Sequence, residues 1–131
     1  MLILANGVFD LLHVSHVRHL EEARRMGTRL VVGVTRDKYV NKTGRPIIPE
    51  NERKEMVEAL QCVSDVILCD SGTDAIMYFQ PDIFVKGDDY RAKGLLKEEI
   101  DLCTELDIDI KFTRPNKITT TSIIERIKCT S

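Results

Sequence analysis

Hydrophobic positions along the chain form short runs of two kinds, and the two kinds alternate. Leu2 to Ala5, Leu30 to Val34, Val66 to Cys69 and Ile83 to Val85 are brief apolar runs, and Ile108 to Phe112 gives a last short strand. Leu30 to Val34, nearly continuous and β-branched, has the pattern of a strand covered on both faces of a parallel sheet. Between these runs, apolar residues recur at helical spacing over Val14 to Met26, Glu50 to Gln61, Asp74 to Phe79, Leu95 to Leu106 and Thr119 to Lys128. The spacing predicts sheet-facing stripes of Val17, Leu20 and Ala23, of Met56, Val57 and Leu60, of Leu96, Ile100 and Cys103, and of Ile123, Ile124 and Ile127. Gly27 ends the first helix, Pro49 suits the start of the second, and Pro81 stops the third. Strands alternating with helices predict an α/β fold: one domain over residues 1–131, with a doubly wound five-stranded parallel sheet, helices on both faces and right-handed crossovers.

In such a sheet ligands bind beyond the carboxyl ends of the strands, where the strand order reverses. Three polar segments each follow a predicted strand and so share one edge: Gly7 to His16, Lys86 to Tyr90 and Arg114 to Ser122. The stretch Arg36 to Pro49 loses all period and reads as a long loop, in which Lys38, Lys42 and Arg45 surround Gly44. Long loops in compact domains are often functional. These cations are either an anion-receiving surface or simply solvated.

Composition narrows the function. With 131 residues and a formal charge of −2 the chain carries no general basic field, which speaks against nucleic acid as a partner. The apolar start is too short for a secretory core and no later run approaches a membrane span, so a cytoplasmic protein is expected. Cys62, Cys69, Cys103 and Cys129 form no C-x-x-C pair and read as small buried hydrophobes rather than a thiol or zinc centre. Because the apolar faces are all needed inside, no interface is marked.

The first polar segment carries the chemistry. A buried strand that ends in a glycine turn and feeds a helix presents free N–H groups and a positive dipole end, a natural anion site. His13 and His16, three apart at that helix start, face one side and suit hydrogen bonding to phosphate oxygens whose charge grows during displacement at phosphorus. The alternative is that they cap the helix or line the core. His19 extends the series, but steps of three fan around a helix and converge poorly on one zinc ion.

The stretch GVFDLLHVSHVRHL resembles the G-x-F-D-x-x-H-x-G-H-x-x-x-L signature of the cytidylyltransferase-like nucleotidyltransferases, with Ser15 in place of the glycine between the histidines. RPNKITTT, Arg114 to Thr121, resembles the R-T-E-G-I-S-T-T segment of the same family, departing at Pro115, Asn116 and Lys117. GRPIIPENERKEMVEAL and PDIFVKGDDY look most like the adenylyltransferases that activate heptose 1-phosphate, whereas Arg114 and the GDDY pattern resemble glycerol-3-phosphate cytidylyltransferase.

The resemblance implies a Rossmann-like nucleotidyltransferase domain acting on CTP or ATP and a small phosphorylated polyol or sugar, with Mg²⁺ carried by the triphosphate. Dimers are frequent among such enzymes, so a homodimer is one expectation. It makes His13 and His16 the catalytic pair at the α-phosphate, and Arg114 with Thr119, Thr120 and Thr121 the holders of the β and γ phosphates. Gly7, Val8 and Phe9 approach the nucleotide through backbone, Asp10 caps the turn or meets metal or nucleotide, and Ser15 crowds the site or adds a hydrogen bond. Lys86, Gly87, Asp88 and Asp89 border the nucleotide or organise their loop, and Lys42 takes the acceptor phosphate. The competing expectation is a nucleotide-binding sensor or subunit in which Ser15 has abolished turnover.

Overall fold

The fold is that of a computed structural model, which describes residues 1–40, 44–87, 94–114 and 124–127. Five strands form one all-parallel sheet: β1 (Leu2–Gly7), β2 (Arg29–Thr35), β3 (Asp65–Cys69), β4 (Ile83–Lys86) and β5 (Asp109–Phe112), in the spatial order β3-β2-β1-β4-β5. The connections carry α1 (Val14–Arg24), α2 (Glu50–Glu58), α3 (Gly72–Phe79) and α4 (Lys97–Glu105), and residues 124–127 are helical. The strand order reverses between β1 and β4. There α1 leaves towards one side of the sheet and the chain from α3 arrives from the other, opening a crevice at the strand ends.

Alternation along each strand separates two cores. Ile3, Ala5, Val32, Val34 and Val85 pack with Leu20 and Ala23 of α1 and Val57 of α2. Leu4, Val31 and Phe84 point the other way, against Ala75 and Ile76 of α3 and Cys103 of α4. Both faces are therefore covered, as the continuous apolar strands require. Gly33 lets α3 come close: a Cβ there would lie 2.9 Å from the Ala75 Cβ and 3.0 Å from Cys69 Sγ.

Helix faces differ from the periodicity in an informative way. Leu96, just before α4, and Ile100 within it stay exposed, while Glu99 is buried beside Cys103. The reason is a charge pair across the core: Glu99 Oε2 lies 3.3 Å from Lys86 Nζ, and both side chains are buried. In α2 Met56 is exposed and Arg53, four residues before Val57, turns inwards. In α1 it is Ser15 that joins Leu20 and Ala23 inside, with Val17 only half-buried. Met77 and Tyr78 of α3 are also exposed, so apolar surface is left over after the core is built. Among the described residues no helix is long and apolar enough to cross a membrane.

Candidate active site

Every β strand points its carboxyl end to the same edge, which places the exits of β1, β4 and β5 side by side. Thr113 N donates to the Lys86 carbonyl at 3.0 Å, joining the exits of β5 and β4. The turn after β1 holds two non-glycine residues in the left-handed region, Phe9 and Leu11, each with φ 53°. That conformation is costly for branched or bulky residues and clusters at functional turns. Gly7 makes it possible, because the Phe9 ring lies 3.1 Å from where a Cβ on Gly7 would stand.

This turn delivers the two histidines to the head of α1 in a fixed state. His13 is the N-cap, and its Nδ1 accepts from Ser15 N at 3.2 Å; His16 Nδ1 accepts from His13 N at 3.3 Å. The rings stack with centroids 3.9 Å apart, and the Phe9 and His16 rings meet edge to face with centroids 5.5 Å apart. A ring nitrogen that accepts a backbone N–H carries no proton, so the proton of each neutral imidazole sits on Nε2. Burial drives the His13 pKa down. Burial, then the charges of His13, His19 and Arg45, lowers His16 from 6.5 to about 4 against a small opposing pull from Asp10. Both rings are thus neutral Nε2–H donors near neutrality. His13 Nε2 is buried and has no hydrogen-bond partner among the described residues. A buried donor left unmet is unfavourable by roughly 1–3 kcal/mol, which an incoming oxygen would relieve.

Other expected site residues are placed as follows. The Asp10 carboxylate, fully buried, accepts from Ile47 N and Ile48 N at 2.9 Å each and from Arg45 Nε at 2.7 Å, pinning the loop before α2. Desolvation raises its pKa, but these donors win and hold it below the usual carboxylate range. Ser15 is buried, and its backbone N–H serves the His13 cap. Lys86 reaches Glu99 and lies 5.2 Å above the Phe84 ring, on the α3 and α4 face of the sheet, while Gly87 follows at the strand end. Arg114 leaves β5 with its guanidinium exposed and its Nε 2.9 Å from Glu22 Oε1 of α1. Lys42, Asp88, Asp89 and Thr119 to Thr121 lie outside the described residues.

Sequence reasoning missed Arg53. Its guanidinium is buried and donates from Nε to the Ile48 carbonyl at 2.9 Å, and from Nη1 to the carbonyls of Val8 at 2.7 Å and Thr35 at 2.9 Å. Nη2 meets Asp37 Oδ1. One side chain therefore ties the exits of β1 and β2 to both ends of the intervening loop. The usable signal was its position one helical turn before Val57.

His19 is spoken for as well: its Nδ1 lies 2.6 Å from Thr113 Oγ1. Among the described residues no group of three His, Cys, Asp or Glu side chains is arranged to hold a metal ion. The Asp10 oxygens are taken by the loop donors, so among the described residues a Mg²⁺ ion would find its ligands on a bound triphosphate. The thiols are suppressed, with burial raising Cys62 and Cys103 and taking Cys69 to about 11.

Comparison with known proteins accords with this geometry. The chain is 43% identical to the bifunctional protein HldE of Citrifermentans bemidjiense over 75% of its length, and 40% identical to that of Syntrophotalea carbinolica over 95%. It spans only 21% and 26% of those two proteins. The crystal structure of a lipopolysaccharide core biosynthesis protein from Thermoplasma volcanium superposes with a TM-score of 0.72 at 31% identity, covering 91% of this chain and 98% of that one. A protein of unknown function from Archaeoglobus fulgidus, 18% identical with a TM-score of 0.69, shares the fold. The profile of the cytidylyltransferase-like family matches residues 4–126, and with it the strand-turn-helix that sets the two imidazoles at the crevice: the chain belongs to this family of nucleotidyltransferase enzymes.

Proposed function

We propose that the chain transfers a nucleoside monophosphate from ATP or CTP to the phosphate of a small phosphorylated sugar or polyol. An acceptor phosphate oxygen attacks the α-phosphorus, the bond from that phosphorus to the bridging oxygen breaks, and pyrophosphate leaves. The observation that carries this reading is the unmet Nε2–H of His13, buried at the head of α1 beside a second neutral imidazole. Neutral donors held by their own Nδ1 bonds need no reorganisation as charge builds on the α-phosphate oxygens. Attack by a histidine is not required. Arg114 would meet the distal phosphates from the end of β5, with Mg²⁺ entering on the triphosphate and spreading its charge. Thr119 to Thr121 and Lys42 complete the proposed triphosphate and acceptor sites.

Similarity to HldE proteins and to a lipopolysaccharide core biosynthesis protein favours a sugar phosphate as acceptor. The need for a nucleoside triphosphate accords with a reaction in the cytoplasm. The test is pyrophosphate release over a grid of CTP and ATP against heptose 1-phosphate and glycerol 3-phosphate. Release that is greatest with ATP and heptose 1-phosphate assigns the adenylyl branch; CTP with glycerol 3-phosphate assigns the cytidylyl branch. Nucleotide binding without release under every pairing would overturn the reading in favour of a sensor built on the same crevice.

A further inference from the structure

The ridge of α1 that begins with the two histidines continues through His19 to Glu22, each three residues on. Its far end grips the exit of β5. Glu22 Oε2 accepts from Arg114 N at 2.9 Å and Oε1 accepts from Arg114 Nε at 2.9 Å, so one carboxylate holds both the backbone and the side chain of the same residue. One turn earlier His19 holds Thr113. The Glu22 side chain is 19% exposed and the Arg114 side chain 81%. The carboxylate is thus fixed against the fold, and the guanidinium projects from it.

We infer that Glu22 is a positioning residue, which orients Arg114 towards the polyphosphate of the nucleotide. A guanidinium has two usable edges. Glu22 takes the Nε side, and the two Nη groups, which make no bond among the described residues, form the fork that suits a phosphate. Glu22 lies six residues from His16 along α1, about 9 Å of helix rise, so one rigid element spaces the donors for the inner phosphate from the fork for the outer ones. Without Glu22 the arginine keeps its charge but must be ordered by the ligand itself. This inference rests on the proposed nucleotide site.

The test measures binding of CTP, ATP and their monophosphates by calorimetry, without acceptor, to the wild-type chain, Glu22→Ala, Glu22→Gln, Arg114→Ala and the Glu22→Ala/Arg114→Ala double variant. Loss of one charge-assisted arrangement predicts roughly tenfold weaker triphosphate binding for Glu22→Ala, with monophosphate binding unchanged. Glu22→Gln, whose amide oxygen still accepts from one of the two donors, recovers most of the loss. In the Arg114→Ala background Glu22→Ala has no further effect. Unchanged or tighter triphosphate binding by Glu22→Ala, or equal loss for monophosphates, overturns the inference. If the wild-type chain binds as described but releases no pyrophosphate with any acceptor, the proposed reaction falls and the role of Glu22 stands. If it binds no triphosphate, both fall.

Discussion

Replacing Arg53 by lysine keeps the charge and removes the fork, which isolates what the planar guanidinium contributes. Four hydrogen bonds leave this buried side chain, to the carbonyls of Ile48, Val8 and Thr35 and to the Asp37 carboxylate. A lysine nitrogen offers three donors at a single point and can reach at most two of these acceptors together. Of the two or more acceptors that lose their partner, the Asp37 carboxylate, 42% exposed, can turn to water, so the substitution should destabilise the fold by about 1–3 kcal/mol for each enclosed carbonyl left unmet. Against a typical domain stability of about 5–15 kcal/mol that is a large share. Arg53→Met, which abandons all four acceptors, should be worse. Urea unfolding followed by circular dichroism reads the effect as a lower midpoint at unchanged slope. Pyrophosphate release at a temperature where the variant remains folded should fall too, because the Val8 carbonyl anchors the turn that carries His13. A shift of Arg53→Lys below about 1 kcal/mol, the range of ordinary surface changes, would refute the idea that one guanidinium frames the crevice.

The remaining predictions concern the site and its supports. His13→Ala should fold with a loss of about 1 kcal/mol from the missing cap, yet lose roughly 100- to 1,000-fold in turnover as one oxyanion donor disappears. His13→Asn, a good N-cap, should restore the melting temperature without the rate. Burial lowers the His16 pKa from 6.5 to about 4, so the unfolded chain binds a proton that the folded chain refuses. Stability should therefore be intact above about pH 6.5 and decline as pH falls towards 4, by on the order of 3 kcal/mol. Thermal melts of the wild type and His16→Gln over that window check this, and parallel curves would contradict it. Asp10→Asn should release the loop around Arg45 and lower stability by about 2–4 kcal/mol, read by urea unfolding and by protease cleavage between residues 44 and 48. Gly33→Val should cost more than 1 kcal/mol through overpacking against Ala75 and Cys69, seen as a lower melting temperature with the substrate KM unchanged.

Much of the fold was legible because the strands advertise themselves. Runs such as Leu30 to Val34 leave no polar face, so only a parallel sheet covered on both sides accommodates them. The shared edge of the polar segments followed from that alone. Three ionisable residues were not legible: Arg53, Glu99 and Glu22. Each sits on a helix where a hydrophobicity pattern scores it as solvent-facing, and each is turned inwards by a partner far away in sequence: Val8, Lys86 and Arg114. A local period can mark such a position as inward, as the spacing of Arg53 from Val57 does, but the partner that makes burial of the charge tolerable depends on tertiary distances that it does not encode. The histidines show a different limit. Capping and catalysis looked like rival explanations, but an imidazole has two nitrogens: Nδ1 satisfies the helix start while Nε2 stays available.

The reversal of strand order between β1 and β4 has a consequence for how this protein can change. The gap there arises from the paths of the connecting chain, not from hollowing out the apolar interior, so recognition is borne by loop tips while cohesion is borne by the ladder beneath. Selection can therefore rewrite which ligands are admitted without first rebuilding the scaffold, and a swap of loops between relatives is a practical route to new specificities.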